Sequence, residues 1–368
     1  MINKIQLYAN KYNVPNEDAL FIFINRMGVA SDLPYGRVRF IFQPFIEDEF
    51  FVESKKQEVK QYFFALPNGA SKTPFSVKKE SENYVLYCED YKLGCAIDLM
   101  NDTCDSEYTR NCGKTLNLNP ISKSFCHGCK FCHTLVQDSN EFKDTRTCDG
   151  LKTFFREWMK QKRITNLSEL EQIAVVTGTF GGSSEVLNYL RMLREQVCAY
   201  GYSNEIFYFG AELDVESLLN IKDELSPFAW CYTLECFENR DLMLRKEKAN
   251  QTPQQIFSLL KKLSDNGITT NFSYVLGIDS LDAIRKGMEA ASEAINRFPI
   301  INIFQTHKNS ETGILTQGAE DIGYFFEARK IIEDIFGRKN LAPRTWENFR
   351  SLWCLRYNGE SLKGNRLP

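Results

Sequence analysis

Three cysteines stand close together in the segment SFCHGCKFCHT, where Cys126, Cys129 and Cys132 follow one another at intervals of three residues. A histidine directly follows the first and the last of them, at His127 and His133. Thiolates are strong ligands for soft metal ions, and a chain of this length without a secretory signal uses clustered cysteines for metal binding or catalysis. The spacing therefore predicts a metal or redox site.

Three kinds of site use closely spaced cysteines. A structural zinc site takes four ligands, usually in two separated pairs, and the chain has no further C-x2-C pair outside this segment. A redox pair leaves the third cysteine unexplained. Three thiolates on one loop would hold three irons of a [4Fe-4S] cluster and leave the fourth iron open to a substrate or cofactor. An iron–sulfur site is favoured, with a zinc clip as the alternative.

The overall composition is that of a globular protein. The 368 residues carry 45 Lys and Arg against 48 Asp and Glu, a formal net charge of −3. Such a balance creates no field that attracts nucleic acid or an anionic membrane, and neither partner is expected. No apolar run approaches the roughly 18–20 residues that span a bilayer, and the first residues lack the apolar segment of a secretory signal. We expect a cytoplasmic protein.

From about residue 116, short apolar strands alternate with amphipathic helices. The six strands are LNLNP, IAVVTGT, EIFYFGAE, FAWCYTLEC, ITTNFSYVLG and PIINIFQTH. This alternation predicts an α/β fold, either a parallel barrel or a doubly wound sheet. In both, functional residues lie at the carboxyl ends of the strands, and the cysteine segment follows the first strand.

Residues 1–115 have a different pattern. PNEDALFIFINRMG predicts a helix, and GRVRFIFQPF, VKQYFFAL and ENYVLYCEDY predict strands. This is the pattern of a smaller N-terminal α+β domain, and it contains no catalytic motif. We assign residues 116–340 to the alternating domain and 341–368 to a C-terminal extension.

The region from about 116 to 340 resembles the radical S-adenosylmethionine (SAM) superfamily, in particular members similar to biotin synthase and methylornithine synthase. The resemblance rests on the three cysteines after the first strand and on Phe131, the aromatic residue before the last of them. The usual spacing is C-x3-C-x2-C, whereas this loop has C-x2-C-x2-C. The resemblance implies a partial (β/α)6 TIM-like barrel, with a [4Fe-4S] cluster on Cys126, Cys129 and Cys132.

The resemblance also implies the chemistry. SAM would bind the open iron through its amino and carboxylate groups. An external electron donor of the flavodoxin or ferredoxin type would supply the electron that cleaves SAM reductively, and the resulting radical would abstract hydrogen from the substrate. Such chemistry is oxygen-sensitive.

The first SAM-binding candidates follow the second strand. Gly181, Gly182 and Ser183 in TGTFGGSSE match a GGE-like segment whose backbone groups bind the amino group of SAM in the family, with Ser where Glu is common. The same glycines also suit an ordinary strand-to-helix turn.

Thr233 and Glu235 end the fourth strand and share one of its faces. A carboxylate there is either a solvated strand end or a buried group that needs a partner. The resemblance implies that Glu235 binds SAM. It also implies that Arg245 contributes to the site for the SAM carboxylate, with Arg240 as the alternate.

The last candidates lie on the fifth and sixth strands and near the end of the chain. The resemblance places Gly277 near the adenine, and Gln305 and His307 could contact adenine or substrate, although Gly277 also fits a plain turn. Cys354 is a candidate hydrogen-atom donor if it reaches the barrel mouth. No catalytic residue is assigned beyond these two candidates, His307 and Cys354. Cys88, Cys95, Cys104 and Cys112 lack the close pair typical of a second cluster.

These features favour a radical SAM enzyme acting on a small-molecule substrate, as a lyase, mutase or carbon-skeleton enzyme. The chain lacks the cysteine-rich carboxy-terminal extension of many peptide-modifying members. A peptide-modifying maturase is the alternative within the family, and a zinc-stabilised binding protein is the alternative outside it.

Overall fold

The computed structural model describes most of the chain in two large sheets. The described residues are 1–56, 61–69, 72–111, 113–121, 129–133, 143–306, 313–344, 347, 352–354, 356–357 and 360–361. One sheet has five antiparallel strands, and the other is a curled half-barrel of seven strands. A short two-stranded pair, β13 (Arg356–Tyr357) and β14 (Glu360–Ser361), comes last.

The amino-terminal part begins with two helices, α1 (Ile2–Tyr12) and α2 (Asn16–Met27). The five-stranded sheet follows, in the spatial order β2-β1-β5-β4-β3. Its strands are β1 (Arg37–Pro44), β2 (Tyr62–Pro67), β3 (Phe75–Glu80), β4 (Asn83–Cys88) and β5 (Tyr91–Asn101). A 3-10 turn (Glu49–Phe51) and the short α3 (Val52–Lys56) connect β1 to β2. Aromatic side chains fill the space between α2 and this sheet, as in the contact of Phe21 with Tyr62 at 4.5 Å.

The seven-stranded sheet has the order β12-β11-β10-β9-β8-β7-β6. Six neighbouring strands are parallel, and β6 pairs antiparallel with β7 at one edge. The strands are β6 (Glu107–Arg110), β7 (Thr115–Leu118), β8 (Gln172–Val176), β9 (Glu205–Gly210), β10 (Phe228–Glu235), β11 (Thr269–Leu276) and β12 (Ile300–Ile303). Because the strands are parallel, the loop that follows each strand lies at the same carboxyl edge of the sheet. We call the loops after β7–β12 the mouth of the half-barrel.

Helices connect the parallel strands. They are α4 (Cys148–Lys162), α5 (Ser183–Ala199), α6 (Val215–Asn220), α7 (Lys222–Leu225), α8 (Arg240–Met243), α9 (Lys246–Ala249), α10 (Pro253–Asp265), α11 (Leu281–Ser292) and α12 (Gly323–Gly337). Local sequence fixes several starts. The side chain of Thr252 caps α10 in a capping box with Gln255, and Pro253 occupies the first turn, where its missing N–H costs nothing. Ser280 caps α11 in the same way, by accepting the Ala283 N–H.

The two faces of the parallel sheet differ. Side chains such as Val175, Trp230 and Phe272 belong to the large hydrophobic core that includes residues of the surrounding helices. On the opposite, inner face, a smaller apolar cluster contains Ala174, Phe207 and others. Both faces are therefore covered, which explains why every residue of β10 is buried.

Charged residues close the amino edge of the half-barrel. Arg297 donates to both carboxylate oxygens of Glu205, at 2.9 and 2.5 Å, and its guanidinium lies 3.7 Å from Glu347. Gln172 donates to both carboxylates, at 2.8 and 3.2 Å. Arg344 lies within 4.0 Å of both as well. We call these five residues the amino-edge network.

Polar contacts join the amino-terminal sheet to the end of β12. Gln305 is fully buried, accepts a hydrogen bond from Arg37 at 3.1 Å and donates to Asn25 and to the Ala65 carbonyl. A buried ion pair between Asp18 of α2 and Arg329 of α12, at 2.9 Å, lies in the same junction. The two sheets are thus packed together through hydrogen bonds as well as apolar contacts.

The strand pattern in the sequence predicts the parallel part of this fold well. All six predicted strands from 116 onward are present and parallel, and the mixed α/β class is confirmed. The sequence does not reveal α1, β3, β5 or β6, and the predicted helix VESLLNIKDEL is two short helices, α6 and α7. Among the described helices, none has the length and apolar character to cross a membrane.

Candidate functional site

The cysteine loop lies at the mouth. Cys129 is buried, and it shares an apolar cluster with Cys236, Met243 and Phe304, against which Phe131 and Cys132 also pack. The Lys130 N–H donates to the Met243 carbonyl at 3.0 Å, which fixes the loop against the segment after β10. The structure thereby brings Cys129, Cys132 and Phe131 together at the carboxyl edge. Cys126 and His127 lie outside the described residues.

The surroundings of Cys129 are polar on one side. Burial raises the pKa of the Cys129 thiol, while the Lys248 ammonium and the backbone amide of Arg245 act in the opposite direction by favouring the thiolate. A thiol must lose its proton to bind a metal, and these two groups sit where they would stabilise the resulting negative charge.

Glu235 occupies a distinctive backbone position at the end of β10. Its φ of 72° lies in the left-handed region, which is strained for a residue with a side chain. A register shift between Thr233 and Glu235 accompanies this turn. The Glu235 carboxylate is paired with Lys248 at 3.3 Å, so the buried charge is compensated. The strand end and the bulge together direct the Glu235 carboxylate towards the cysteine loop. There the charge of Glu235 is part of the electrostatic environment of Cys129.

Arg245 is paired with Glu212, a residue of the loop after β9, at 3.5 Å. Its Nε is buried and has no hydrogen-bond partner among the described residues. Arg240, the alternate candidate, has a different task. It donates to four backbone carbonyls, those of Leu234, Cys236, Lys248 and Gln251. Through these hydrogen bonds, Arg240 holds the turn after β10. Arg245 is therefore the arginine that is directed to the mouth.

The Gly181–Gly182 loop follows β8. Both glycines have positive φ, 103° and 156°, and a Cβ built on Gly181 meets no described atom within 4 Å. The loop is anchored before and after the glycines. Phe180 donates its N–H to Glu212 at 2.6 Å, and Ser183 accepts the Asp214 N–H at 2.7 Å. Gly181 therefore presents open backbone between two fixed points, whereas the side chain of Glu185 lies against Gly182.

Two hydroxyl groups lie on the inner face below the mouth. Thr233 of β10 and Ser273 of β11 are direct register partners, and both are more than nine-tenths buried. Neither hydroxyl oxygen has a hydrogen-bond partner in the described part of the chain. Buried polar groups are normally hydrogen-bonded, so these two mark a place for a polar ligand or water.

The remaining predicted residues have other surroundings. Gly277 has φ 116°, and Leu315, Phe304 and Phe325 pack on the side where a Cβ would point. Gln305 is bonded to the amino-terminal part, as described above. The backbone N–H of Cys354 donates to the Asp18 carboxylate at 2.7 Å. His307 lies outside the described residues. Gln305 follows β12, but its amide is bonded to the amino-terminal part, and Cys354 lies in the junction of α2 and α12.

Two residues at the mouth were not recognised in the sequence. Glu212 lies two residues beyond β9, and Lys248 lies thirteen residues after Glu235 on the short helix α9. Acidic residues just after a barrel strand are a usable signal, and Glu212 in GAELD fits it. Lys248 has no such signal, because its position depends on the turn that Arg240 holds.

A metal site cannot be assembled from the described residues alone. Within the described ranges, no three His, Cys, Asp or Glu side chains form a potential metal-binding group. Two of the three predicted cluster ligands, Cys129 and Cys132, lie at the carboxyl edge, and soft thiolates are the ligands that iron–sulfur clusters use. The unpartnered Arg245 Nε and the open Gly181 loop fit the carboxylate and amino groups of SAM. The residues present are consistent with both cofactors.

Comparisons with known proteins give a weak likeness. No protein-family model matches the chain, and no curated protein matches it. Solved structures of similar fold include SuiB of Streptococcus suis, bound to S-adenosylmethionine, with a TM-score of 0.43 and 15% identity over 61% of this chain and 48% of SuiB.

Two further SuiB crystal structures, one of them bound to the precursor peptide SuiA, have the same TM-score and identity over 62% of this chain and 47% of SuiB. The chain thus spans about half the length of SuiB. Similarity at this level assigns neither family nor function.

Proposed function

We propose that the protein is a radical SAM enzyme, in which a [4Fe-4S] cluster on Cys126, Cys129 and Cys132 binds SAM at the mouth of the half-barrel. The observation that carries this proposal is the position of Cys129 and Cys132 beside unpartnered polar groups at the carboxyl edge of the parallel strands. A zinc clip would not require an open loop or a buried arginine atom without a partner at the same edge.

Each mouth residue has a role in this proposal. Arg245 binds the SAM carboxylate, because a guanidinium can donate two parallel hydrogen bonds to it. The exposed backbone at Gly181 and Gly182 accepts from the amino group. Glu235 and Thr233 bind further polar groups of SAM, and the ion pair with Lys248 holds the Glu235 side chain in place. Gly277 shapes the floor near the adenine by permitting the turn after β11.

The cluster, when bound, supplies the electron that cleaves SAM reductively, and an external donor of the flavodoxin or ferredoxin type replaces that electron. The chain itself binds, orients and excludes water. The inner-face apolar layer of Ala174, Phe207 and their neighbours closes the half-barrel below the hydroxyl pair, so a reactive species formed at the mouth meets few alternative partners.

Two substrate classes are candidates for the proposed enzyme. The sequence favoured a small molecule, for which Thr233 and Ser273 offer hydrogen bonds on the inner face. A peptide-modifying activity is the second candidate, and the SuiA-bound structure of SuiB is the reason to test it. The likeness to SuiB is too low to transfer its partner, so we carry both classes into the experiment.

The proposal is tested by reconstituting the full chain with iron and sulfide in the absence of oxygen, then adding dithionite and SAM. We expect a brown protein whose visible absorbance is bleached by dithionite, and we expect methionine to be released. A colourless protein that retains one tightly bound zinc ion and leaves SAM intact would contradict the proposal and favour the zinc-stabilised binding protein. Candidate metabolites and peptides are then compared by their effect on the rate of SAM cleavage.

A further inference from the structure

The loop after β9 holds the glycine loop after β8 at two points. The carboxylate of Glu212 accepts the Phe180 N–H at 2.6 Å and also bonds the Thr179 hydroxyl. Two residues further on, the Asp214 N–H donates to Ser183 at 2.7 Å. These contacts bracket Gly181 and Gly182, which have positive φ and, lacking a Cβ, could leave that conformation without such anchors.

The same carboxylate faces the arginine of a third loop. Arg245 Nη2 lies 3.5 Å from Glu212 Oε1, and the side chains of the two residues are only 10% and 16% exposed. The Nε of Arg245 is buried without a partner among the described residues. Glu212 thus contacts Nη2 of the Arg245 guanidinium and leaves the Nε donor available for a ligand.

We propose that Glu212 is a positioning residue that links the glycine loop to Arg245 and orients the guanidinium for the carboxylate of the bound ligand. The identity of that ligand, SAM, rests on the proposed function. A carboxylate between two loops is suited to this task, since charge-assisted hydrogen bonds are short, strong and directional. The contact with Glu212 also restricts the Arg245 side chain before the ligand binds, so less side-chain entropy is lost on binding.

Glu212 also accounts for an oddity of the sequence. The glycine loop reads GGS, with Ser183 where the family commonly has Glu. In the structure a carboxylate reaches this loop all the same, but it comes from the neighbouring strand end. Ser183 serves instead as the acceptor for the Asp214 N–H. The side chain of Glu185 also lies against Gly182, so two carboxylates reach the loop, and Glu212 is the one that also pairs with Arg245.

The first experiment measures the loop itself and needs no cofactor. In a Glu212→Ala variant we expect hydrogen exchange of the Phe180–Gly182 backbone amides to accelerate at least about tenfold, because the Phe180 N–H loses its charged acceptor. Glu216→Gln is the matched control, since Glu216 lies on the next helix and pairs only at the surface with Lys262. Unchanged exchange in the Glu212→Ala variant would overturn the proposal.

The second experiment separates positioning from general support by using two ligands. We expect Glu212→Gln, which keeps the side-chain shape, to weaken SAM binding about tenfold while changing the affinity for decarboxylated SAM much less. Arg245→Gln should produce the same pattern, and the double variant should bind little worse than Arg245→Gln alone, because both act on one carboxylate contact. In steady state, the KM for SAM should rise more than kcat falls.

Equal losses for the two ligands, or additive effects in the double variant, would show that Glu212 only supports the fold. Wild-type protein that binds no SAM would contradict the proposed function instead. In that case the exchange experiment still decides whether Glu212 anchors the glycine loop.

Discussion

The two edges of the seven-stranded sheet treat their polar groups differently. At the amino edge, Arg297 is bonded to Glu205 and lies beside Glu347, and Gln172 donates to both carboxylates. At the carboxyl edge, the Nε of Arg245 and the hydroxyls of Thr233 and Ser273 are buried without partners among the described residues. The charged groups of the amino edge are thus paired, whereas a guanidinium nitrogen at the carboxyl edge is not. Hydroxyls do not distinguish the edges, because those of Thr115 and Thr270, at the amino ends of β7 and β11, are also buried without a described partner.

This difference indicates which edge serves stability and which serves binding. A buried polar group without a partner costs free energy, and a protein keeps such a cost where a ligand will supply the missing bond. The charged groups at the amino edge are already paired with one another, so they do not need a ligand to supply a missing bond. The comparison of the charged groups therefore favours the mouth as the binding edge, on grounds separate from the cysteine motif.

We expect the largest effect on activity from the removal of a cluster thiol, a change confined to the carboxyl edge. We expect Cys129→Ala to abolish both iron–sulfur absorbance and SAM cleavage, because two thiolates cannot hold the cluster. Iron content and product formation are measured on oxygen-free protein. Cys198→Ala, which changes an exposed cysteine on α5, is the control and should retain both. A Cys129→Ala variant with full colour and activity would show that the loop is not the cluster site.

Breaking the amino edge should cost stability and leave the mouth intact. Arg297→Ala would leave Glu205 and Glu347 with far less compensation, and we expect the free energy of unfolding to fall by about 3 kcal/mol. Urea unfolding measures this, and Lys339→Ala, which removes an exposed ion pair with Glu293, should cost less than about 1 kcal/mol. At temperatures where the variant is folded, its affinity for SAM should match that of the wild type. A tenfold loss of SAM affinity would contradict the division between the edges.

The amino edge should also carry an acid-dependent part of the stability. Burial acts to raise the pKa of Glu205, but hydrogen bonds and charge from Arg297 outweigh it and lower that pKa overall. The resulting stabilisation is present above the unfolded value of about 4.3 and is lost as the pH falls through the lower folded pKa. Glu347 acts in the opposite sense, because burial raises its pKa.

Urea unfolding of the wild type and of Glu205→Gln, followed from neutral to acid pH, measures this contribution. The wild type should lose more stability on acidification than Glu205→Gln does. Identical pH dependence in the two proteins would contradict the pairing of Glu205 with Arg297.

The smallest effect on stability is expected at the hydroxyl pair. Thr233→Val removes a buried hydroxyl that has no described partner, so the free energy of unfolding should change by less than about 1 kcal/mol and can rise. Turnover, in contrast, should fall. Thr252→Val removes a hydroxyl that caps α10 and should cost about 1 kcal/mol with no loss of turnover. If Thr233→Val destabilises the protein more than Thr252→Val, the hydroxyl is structural.

The sequence predicts those parts of the site that depend on strand order. The alternation of apolar strands and helices places Thr233 and Glu235 at the end of the fourth predicted strand and Gly181 in the loop after the second, and the structure has all three there. These predictions need only the periodicity of a strand and the common direction of parallel strands. Their roles with SAM stay predictions.

The parts that the sequence does not predict depend on tertiary contacts. Whether Arg240 or Arg245 faces the mouth is decided by four carbonyl groups that only the folded turn brings together. Gln305 ends a barrel strand like a ligand-binding residue, but Arg37, 268 positions away in the chain, occupies it. The pairing of Glu212 with Arg245 requires knowledge of how two loops cross. No local pattern contains this information.

The fully buried Gln305 has a consequence for how the molecule can be divided. Cutting the chain between the five-stranded and seven-stranded sheets would strip this amide of its three bonding neighbours and open an apolar seam beside it. The half-barrel is therefore not an autonomous fragment, and the amino-terminal part is no detachable lid. We therefore expect the two sheets to unfold as one cooperative body.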